Sequence, residues 1–380
     1  MKKIYFVGLN ELRAIAAFSV LVYHIELYKK REHIFGHYNT FLRNIVESIG
    51  HNGVNLFFVL SGFLITYLLI EEKEKNNKIE IKKFYIRRVL RIWPLYYLIM
   101  ALSFFFLPFA ANHLDLLQNE TFYFKAIQGL STDFWYKLLV FVSFLPNLAL
   151  PLGYLVPGAS QAWSVGVEEQ YYLFWPVVID KIKKTNWVLF FICFIIIKMI
   201  IDFWLMKQSG KSELFMGFHL FSRTFKIELM AIGALGAYYS YYHNEKIIPL
   251  AKNNILAALN YFIILLCLHY GTNHVVLGFL FLFAILSTVN YATFTLKNSI
   301  LDDMGKISYG IYMYHPIIVF FSFAVVNKYV THQNLWLYNI CLYSLIIGVT
   351  VLVSKLSYKY FETYFLKLKS KGYTVIESGS

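Results

Sequence analysis

The sequence predicts an all-α, polytopic membrane protein of about ten transmembrane helices, with one re-entrant or interfacial segment near 135–150. Three observations carry this reading. Hydrophobic residues make up 58% of the 380 positions and aromatics 19%, with a mean hydropathy of +0.53, too apolar for a soluble domain around one core. Apolar segments of about 17 to 26 residues, long enough to cross hydrocarbon, recur along the chain. Lysines and arginines gather in the short connections between them, where they report orientation.

The expected spans lie near 8–28, 52–71, 89–110, 164–180, 187–206, 219–242, 253–270, 274–293, 307–327 and 335–360. The first, GLNELRAIAAFSVLVYHIELY, holds Arg13 and His24 where a plain anchor would carry no ionisable group. Eleven positions are close to a whole number of helical turns, so the two side chains share one face about 16 Å apart along the axis. Charged groups at membrane depth face a bundle interior or a wet cavity, although an interfacial pair, each end snorkelling to its own surface, satisfies the same spacing. Lys2 and Lys3 precede this run as in a signal peptide, but Glu11 and Arg13 interrupt it and no small-residue cleavage site follows, so retention as a span is expected.

Orientation follows from Lys73, Lys75, Lys78, Lys82, Lys83, Arg87 and Arg88 in the second connection, Lys181, Lys183 and Lys184 after the fourth span, and Lys355, Lys359, Lys367, Lys369 and Lys371 near the chain end. They outweigh Lys29, Lys30, Arg31 and Arg43 in the first loop, which have Glu26, Glu32 and Glu47 as neighbours. Both termini are therefore expected in the cytoplasm, in a multi-pass protein of the plasma (inner) membrane. The segment 135–150, WYKLLVFVSFLPNLAL, would invert the later loops if it crossed. Pro146, Pro151, Gly153, Pro157 and Gly158 suit irregular backbone over a cavity better. No Gly-, Ser- or Pro-rich linker divides the chain, so residues 1–365 read as one membrane domain and 366–380 as a short cytoplasmic tail.

Three further runs carry chemistry. In FYIRRVLRIWPLYY, Arg88 and Arg91 are three apart and neighbours on a helix, with Arg87 beside them. Arginine forks bind phosphate oxygens, as in a nucleotide-bearing donor, although basic residues at a membrane boundary also serve as topology signals and headgroup ligands. In QAWSVGVEEQYY, Trp163 and Ser164 precede Glu168 and Glu169, which point about 100° apart on a helix, so one of the two at most faces a cavity. In MGKISYGIYMYHPII, Ser308, Tyr312 and His315 recur at i, i+4 and i+7 and share a face.

A net charge of +13 would point to nucleic acid in a soluble domain, but these charges lie in membrane loops and no nucleic-acid partner is expected. Cys193, Cys267 and Cys341 stand far apart in apolar runs and read as small hydrophobes, not as a disulfide or metal set; no metal is expected.

Taken together, LNELRAIAAFSVLVYH with Arg13 and His24, GVNLFFVLSGFLIT around Phe57, Ser61 and Gly62, RRVLR with Arg88 and Arg91, WSVGVEEQYY, and ISYGIYMYH resemble the acyltransferase-3 family of integral membrane acyltransferases, in order and over nearly the whole chain. Family members commonly carry Asp where this chain has Asn10 and Asn55, so Glu11, Glu168 or the acceptor must supply a countercharge to Arg13. Members with a fused extracytoplasmic domain exist; this chain is expected to be the stand-alone form. The resemblance implies transfer of an acyl group, usually acetyl, from cytoplasmic acyl-coenzyme A as donor substrate to a hydroxyl of a cell-surface glycan, a lipid-linked sugar precursor or a small hydrophobic molecule, with membrane lipid as the surrounding partner. Neutral imidazole suits removal of a hydroxyl proton near pH 7, making His24 the expected base or acyl carrier. Arg13, Ser308 or Tyr312 would steady the oxyanion, with Glu168 in the same site, Arg87, Arg88 and Arg91 on the donor, and Trp163, Ser164 and His315 lining the cavity. Polar spans also mark transporters, which move glycan or acyl groups without transfer.

With the native cysteines replaced, Asn77→Cys and the carboxy-terminal tail should be shielded from external thiol reagents and Gln118→Cys reachable. External labelling of the tail would overturn this arrangement and make 135–150 a true span.

Overall fold

A computed structural model of the protein describes residues 6, 8–118, 121–289, 298–331 and 333–370. Among them the chain is helical, with no strand. Lys2, Lys3, residues 290–293 of the eighth expected span and the tail beyond Ser370, with Lys371, lie outside the described residues. Helix α1 (Leu9–Arg31) leads to α2 (Arg43–Asn76) and α3 (Ile81–Ala101), which continues through a π-helical turn, Leu102–Phe106, into α4 (Leu107–His113). Short helices α5 (Phe122–Gln128), α6 (Phe134–Val142) and α7 (Pro146–Ala149) connect to α8 (Trp163–Lys181) and α9 (Trp187–Gln208). Then come α10 (Glu213–Thr224), α11 (Ile227–Tyr242), α12 (Asn244–Ala251), α13 (Asn254–Tyr270) and α14 (His274–Val289). The chain closes with α15 (Ser299–Lys306), α16 (Ser308–Tyr329), α17 (Leu335–Ser357) and α18 (Thr363–Ser370), the last running across the expected 365/366 boundary.

Helices α2 and α11 make the most extensive contact in the bundle. Small residues permit it: a Cβ on Gly62 would lie 2.0 Å from the Met230 carbonyl oxygen, and one on Gly233 would lie 2.2 Å from that of Val59. Between lipid-soluble helices such close backbone approach is itself the source of cohesion, because tails compete equally for apolar side chains. The most apolar windows of α2 and α16 are 78% and 72% buried and form the interior. Those of α9 and α17, at 22%, face outward, consistent with a lipid surface.

Five described stretches are long and apolar enough to cross a membrane: Arg43–Asn76, Ile81–His113, Lys184–Gln208, Ser308–Tyr329 and Leu335–Leu368. A sixth is reached if α12 and α13, bent by 72°, count as one. The multi-pass helical class therefore stands, while the count of about ten is not reached on these criteria. The shortfall has physical causes. Helix α1 contains Glu11, Arg13, Glu26, Lys29, Lys30 and Arg31, and α8 contains Glu168 and Glu169, so the helices bearing the polar stripe lose hydropathy because of it. The expected span 219–242 is broken between α10 and α11: the Thr224 hydroxyl donates to the Phe221 carbonyl at 2.8 Å, and Lys226 turns its ammonium to Asn55 Oδ1 at 3.1 Å.

No continuous helix covers 135–150. The backbone turns at Phe144, where φ is +58°, and the freed carbonyls find donors in neighbouring helices: Tyr96 Oη to Phe141 at 2.6 Å and Gln170 Nε2 to Phe144 at 2.9 Å. Irregular backbone at membrane depth persists only where such donors exist. At the lysine-rich end, Lys73 Nζ donates to the carbonyls of Ile179 and Asp180 at 2.7 and 2.9 Å, capping the negative end of α8.

Gly233→Val should force α2 and α11 apart and lower the thermal midpoint of the detergent-solubilised protein, at a cost of about 1–3 kcal/mol. Gly217→Ala, whose Cβ would meet nothing within 4 Å, should leave the midpoint unchanged or slightly raised; equal effects at both sites would refute the tight-contact account.

Candidate active site

Arg13, His24, Arg88, Arg91 and Glu168 lie deep in the bundle yet remain only half-buried, so they line an internal opening and not solid packing. They fall into two layers. In the first, Arg13 from α1 meets the charges of Arg88 and Arg91 from α3 and Glu168 from α8. Glu168 is fixed by Ser61 Oγ, donating at 2.8 Å, and by Tyr172 Oη at 3.2 Å. Glu169 points elsewhere, as the helical offset requires, and accepts from Trp93 Nε1 at 3.0 Å. The Arg88 guanidinium lies 5.6 and 5.8 Å from the Phe84 and Tyr172 ring centres, and its enclosed Nε has no hydrogen-bond partner among the described residues.

Arg87 takes a different path. Its Nη2 donates to Glu72 Oε2 at 3.1 Å in a nearly enclosed pair, and Glu72 Oε1 accepts from the Glu80 backbone N–H at 2.7 Å. That pair fastens the start of α3 to the end of α2, so the structure brings Arg88 and Arg91 to the opening and leaves Arg87 on the fastening.

Arg13 has a link that the sequence did not reveal. Its Nη1 donates to Asn10 Oδ1 at 3.2 Å, and Asn10 Nδ2 donates to Asp302 Oδ1 at 2.9 Å. The amide thus passes the influence of a carboxylate on α15 to a guanidinium on α1. Gly305 makes room for it: a Cβ there would lie 2.0 Å from the Asn10 carbonyl oxygen. Asp302 and Asp303 in turn bind Lys306 at 2.7 and 2.9 Å, and these hydrogen bonds, Asp302 first, raise Lys306 above the ordinary lysine range. Glu11 is buried with Oε2 unpartnered among the described residues, whereas Glu168 bears directly on Arg13.

The second layer is built on imidazoles. His24 Nδ1 lies 2.8 Å from the Val20 carbonyl oxygen, which can only accept, so Nδ1 carries the proton and Nε2 presents a lone pair when the ring is neutral. His315 Nδ1 lies 3.2 Å from the Ile311 carbonyl, and the two rings are 4.8 Å apart between centres. Tyr312 stands edge-on to His315 at 5.9 Å. Its hydroxyl donates to the Gln161 carbonyl at 2.9 Å and therefore receives the Ser164 hydroxyl at 2.7 Å. That leaves Tyr312 no free proton for an oxyanion. Ser308 is buried at the first turn of α16, and Trp163 is half-buried against Phe58. Gln161 and Asp302 are among the participants that motif reading missed, with Tyr172 and Trp93; the Gln immediately ahead of Ala-Trp-Ser and the acidic pair ahead of ISYG were available signals for the first two.

Away from these layers, Asp202, Glu228 and His274 place ligand atoms within 4.8 Å of one another, but Lys198 Nζ sits among them, 2.6 Å from Asp202 and 3.8 Å from Glu228.

The model of the acyltransferase-3 family, described as an acyltransferase domain, matches residues 6–355. The chain belongs to that family. It is 25% identical to the peptidoglycan O-acetyltransferase OatA of Listeria monocytogenes over 98% of its own length and 59% of that protein's. It is 27% identical to the O-acetyltransferase OatA of Staphylococcus aureus over 97% of its own length and 58% of the relative's. The chain thus spans about three-fifths of these curated relatives. No solved structure matches it at a significant level.

If the chain transfers acyl groups as its family does, Asp302→Asn should slow transfer about tenfold by loosening Arg13, about 1.4 kcal/mol at the barrier. The pair Asn10→Asp with Asp302→Asn returns a carboxylate to Arg13 and should recover most of the rate. A double variant as slow as Asp302→Asn would exclude the relay.

Proposed function

We propose that the protein is a membrane-bound O-acetyltransferase that takes its acyl group from cytoplasmic acyl-coenzyme A and delivers it to a hydroxyl of a cell-surface glycan or its lipid-linked precursor. The observation that carries this reading is the separation of chemistry along α1. Guanidinium groups without a carboxylate ion pair among the described residues, Arg88 and Arg91 with Arg13, occupy one layer, and the imidazoles of His24 and His315 occupy the next. On an ideal helix Arg13 and His24 are about 16 Å apart, a distance that suits a phosphate-bearing donor reaching in from one surface and an acceptor from the other. The names of the relatives support a glycan acceptor.

In this reading, Arg88 and Arg91, with Arg13 in the same layer, hold phosphate oxygens of the donor, and the thioester at the far end of its long arm reaches the imidazole layer. His24 Nε2 takes the proton of the acceptor hydroxyl, whose oxygen bonds to the acyl carbon. The carbon–sulfur bond breaks, its electron pair stays on sulfur, and the thiolate recovers the proton from His24. Thioester and alcohol become ester and thiol with nothing left over.

Purified protein in lipid nanodiscs, given acetyl-coenzyme A and glycan fragments, should produce free coenzyme A and acetylated glycan. Arg88→Ala and Arg91→Ala should each raise the donor KM by the equivalent of about 1.5–3 kcal/mol, while Arg87→Ala should lower stability and spare KM. His24→Gln should lose about a hundredfold or more in rate, the scale of general-base catalysis. Wild-type protein that leaves the thioester intact with every acceptor tried would replace this reading with transport.

A further inference from the structure

Helix α1 carries a third ionisable group on the stripe of Arg13 and His24. Arg31 follows His24 by about two helical turns and Arg13 by about five, so on an ideal helix it shares their face, about 10 Å past the imidazole and away from Arg13. The mechanism above gives it no task. Its guanidinium lies 4.7 Å from the Phe122 ring centre and 5.4 Å from that of Tyr123, and Nη1 donates to Tyr123 Oη at 2.8 Å. Tyr123 is in turn stacked on Tyr28 at 4.0 Å. Rings thus hold the arginine in place, while its other N–H groups make no hydrogen bond or ion pair among the described residues.

Helix α2 and the break before α11 bring further basic groups to the same side. His24 feels the charges of Arg31 and His51, and His51 those of Lys226 and Arg223. The Tyr23 ring packs against both imidazoles, 5.1 Å from His24 and 5.4 Å from His51. His51 and Arg223 are exposed. Lys226 donates to Asn55 Oδ1 at 3.1 Å, one turn along α2 from His51, and a neutral amide leaves the ammonium charge uncancelled. The carboxylates in range are engaged elsewhere: Glu47 with Lys30 and Arg43 at 3.2 and 3.3 Å, Glu228 with His274 at 2.8 Å, and Glu32 with the backbone of Tyr123 and Phe122. Like charges gathered in one place repel, and an anion bound among them removes that repulsion.

We propose that this face is a subsite for a phosphate group on the acceptor, held while the reacting hydroxyl stands at His24. Arginine forks match phosphate oxygens, and a group that carries up to two negative charges answers several cations where a carboxylate answers one. The separation of about 10 Å between Arg31 and His24 leaves room for a sugar ring between the phosphate and the hydroxyl. The acceptor is then a phosphorylated sugar, and the arginines at the two ends of the stripe take phosphates of different substrates. The inference rests on the transferase reading for what the bound sugar does next, not for its binding.

The test titrates the full chain in lipid nanodiscs with a soluble sugar 1-phosphate and with the matching neutral methyl glycoside. Excess coenzyme A occupies the donor layer, and binding is read by calorimetry. The phosphate should bind at least about tenfold more tightly, the scale of a charge-assisted contact. Arg31→Gln and Arg223→Gln, checked for an unchanged thermal midpoint, should each remove most of that preference. Arg31→Lys, which keeps the charge, should retain part of it, and Lys30→Gln, whose charge serves Glu47, should retain all. Equal affinity for the two sugars, or a preference that survives both Gln variants, would overturn the subsite. A polyprenyl-phosphate sugar placed in the nanodisc separates the sources: stronger displacement of the soluble ligand assigns a lipid-linked acceptor, and weaker displacement a phosphate on the glycan itself. With acetyl-coenzyme A present, transfer to both sugars at equal acceptor KM would overturn the inference and leave the transferase reading. Arg31-dependent binding in protein that never cleaves the thioester would overturn the transferase reading and leave the subsite.

Discussion

Hydrocarbon offers no hydrogen bonds, so each charged group this bundle carries at depth has to be satisfied from within. That constraint organises the molecule. Helix α1 brings Arg13 into the interior, and the acids that answer it come from elsewhere: Glu168 from α8 by its charge, without an ion pair among the described residues, and Asp302 from α15 through the Asn10 amide. Bringing α15 close enough demands Gly305, and bringing α2 onto α11 demands Gly62 and Gly233. The glycines at the tight contacts and the charges at the centre are thus two sides of one requirement, since a looser bundle would leave guanidinium groups facing lipid.

Satisfaction stops short of neutralisation. Arg87, outside the opening, is locked to Glu72, while Arg88, its neighbour in sequence, rests on aromatic rings with Nε unpartnered among the described residues. A protein that needed these arginines only for cohesion would pair both. In the proposed reading, leaving one ready to donate costs stability and keeps it available for the phosphates of the donor. His315 shows the same pattern in a neutral group, its Nε2 buried without a partner among the described residues.

Much of the candidate site was legible because helical periodicity converts sequence spacing into direction. The offsets between Arg13 and His24, between Arg88 and Arg91, and between Tyr312 and His315 each placed side chains on one face, and the roughly 100° step between Glu168 and Glu169 foretold that they would part, one to Ser61 and the other to Trp93. What periodicity cannot supply is the partner across a helix interface. Asp302 lies 292 positions from Asn10, and nothing within either segment announces the other. The same limit explains the hydroxyl of Tyr312: its face was readable, but its commitment to the Gln161 carbonyl depends on how α16 docks beside the turn before α8.

The two span counts differ for a related reason. Counting apolar stretches assumes that crossing a membrane and being hydrophobic are the same property, which holds for α9 and α17, whose outer faces provide the lipid surface. Helices α1 and α8 have most of their surface turned to protein, and their polar residues are paid for by neighbours instead of by hydropathy. The break between α10 and α11 follows the same logic: where Lys226 can reach Asn55 and Thr224 can reach Phe221 and Asn147, a continuous helix is no longer the sole way to satisfy the backbone. A chain that builds chemistry into its membrane interior therefore weakens its hydropathy signal at the elements that carry the chemistry, and the polar interruptions mark those elements more sharply than the apolar runs do.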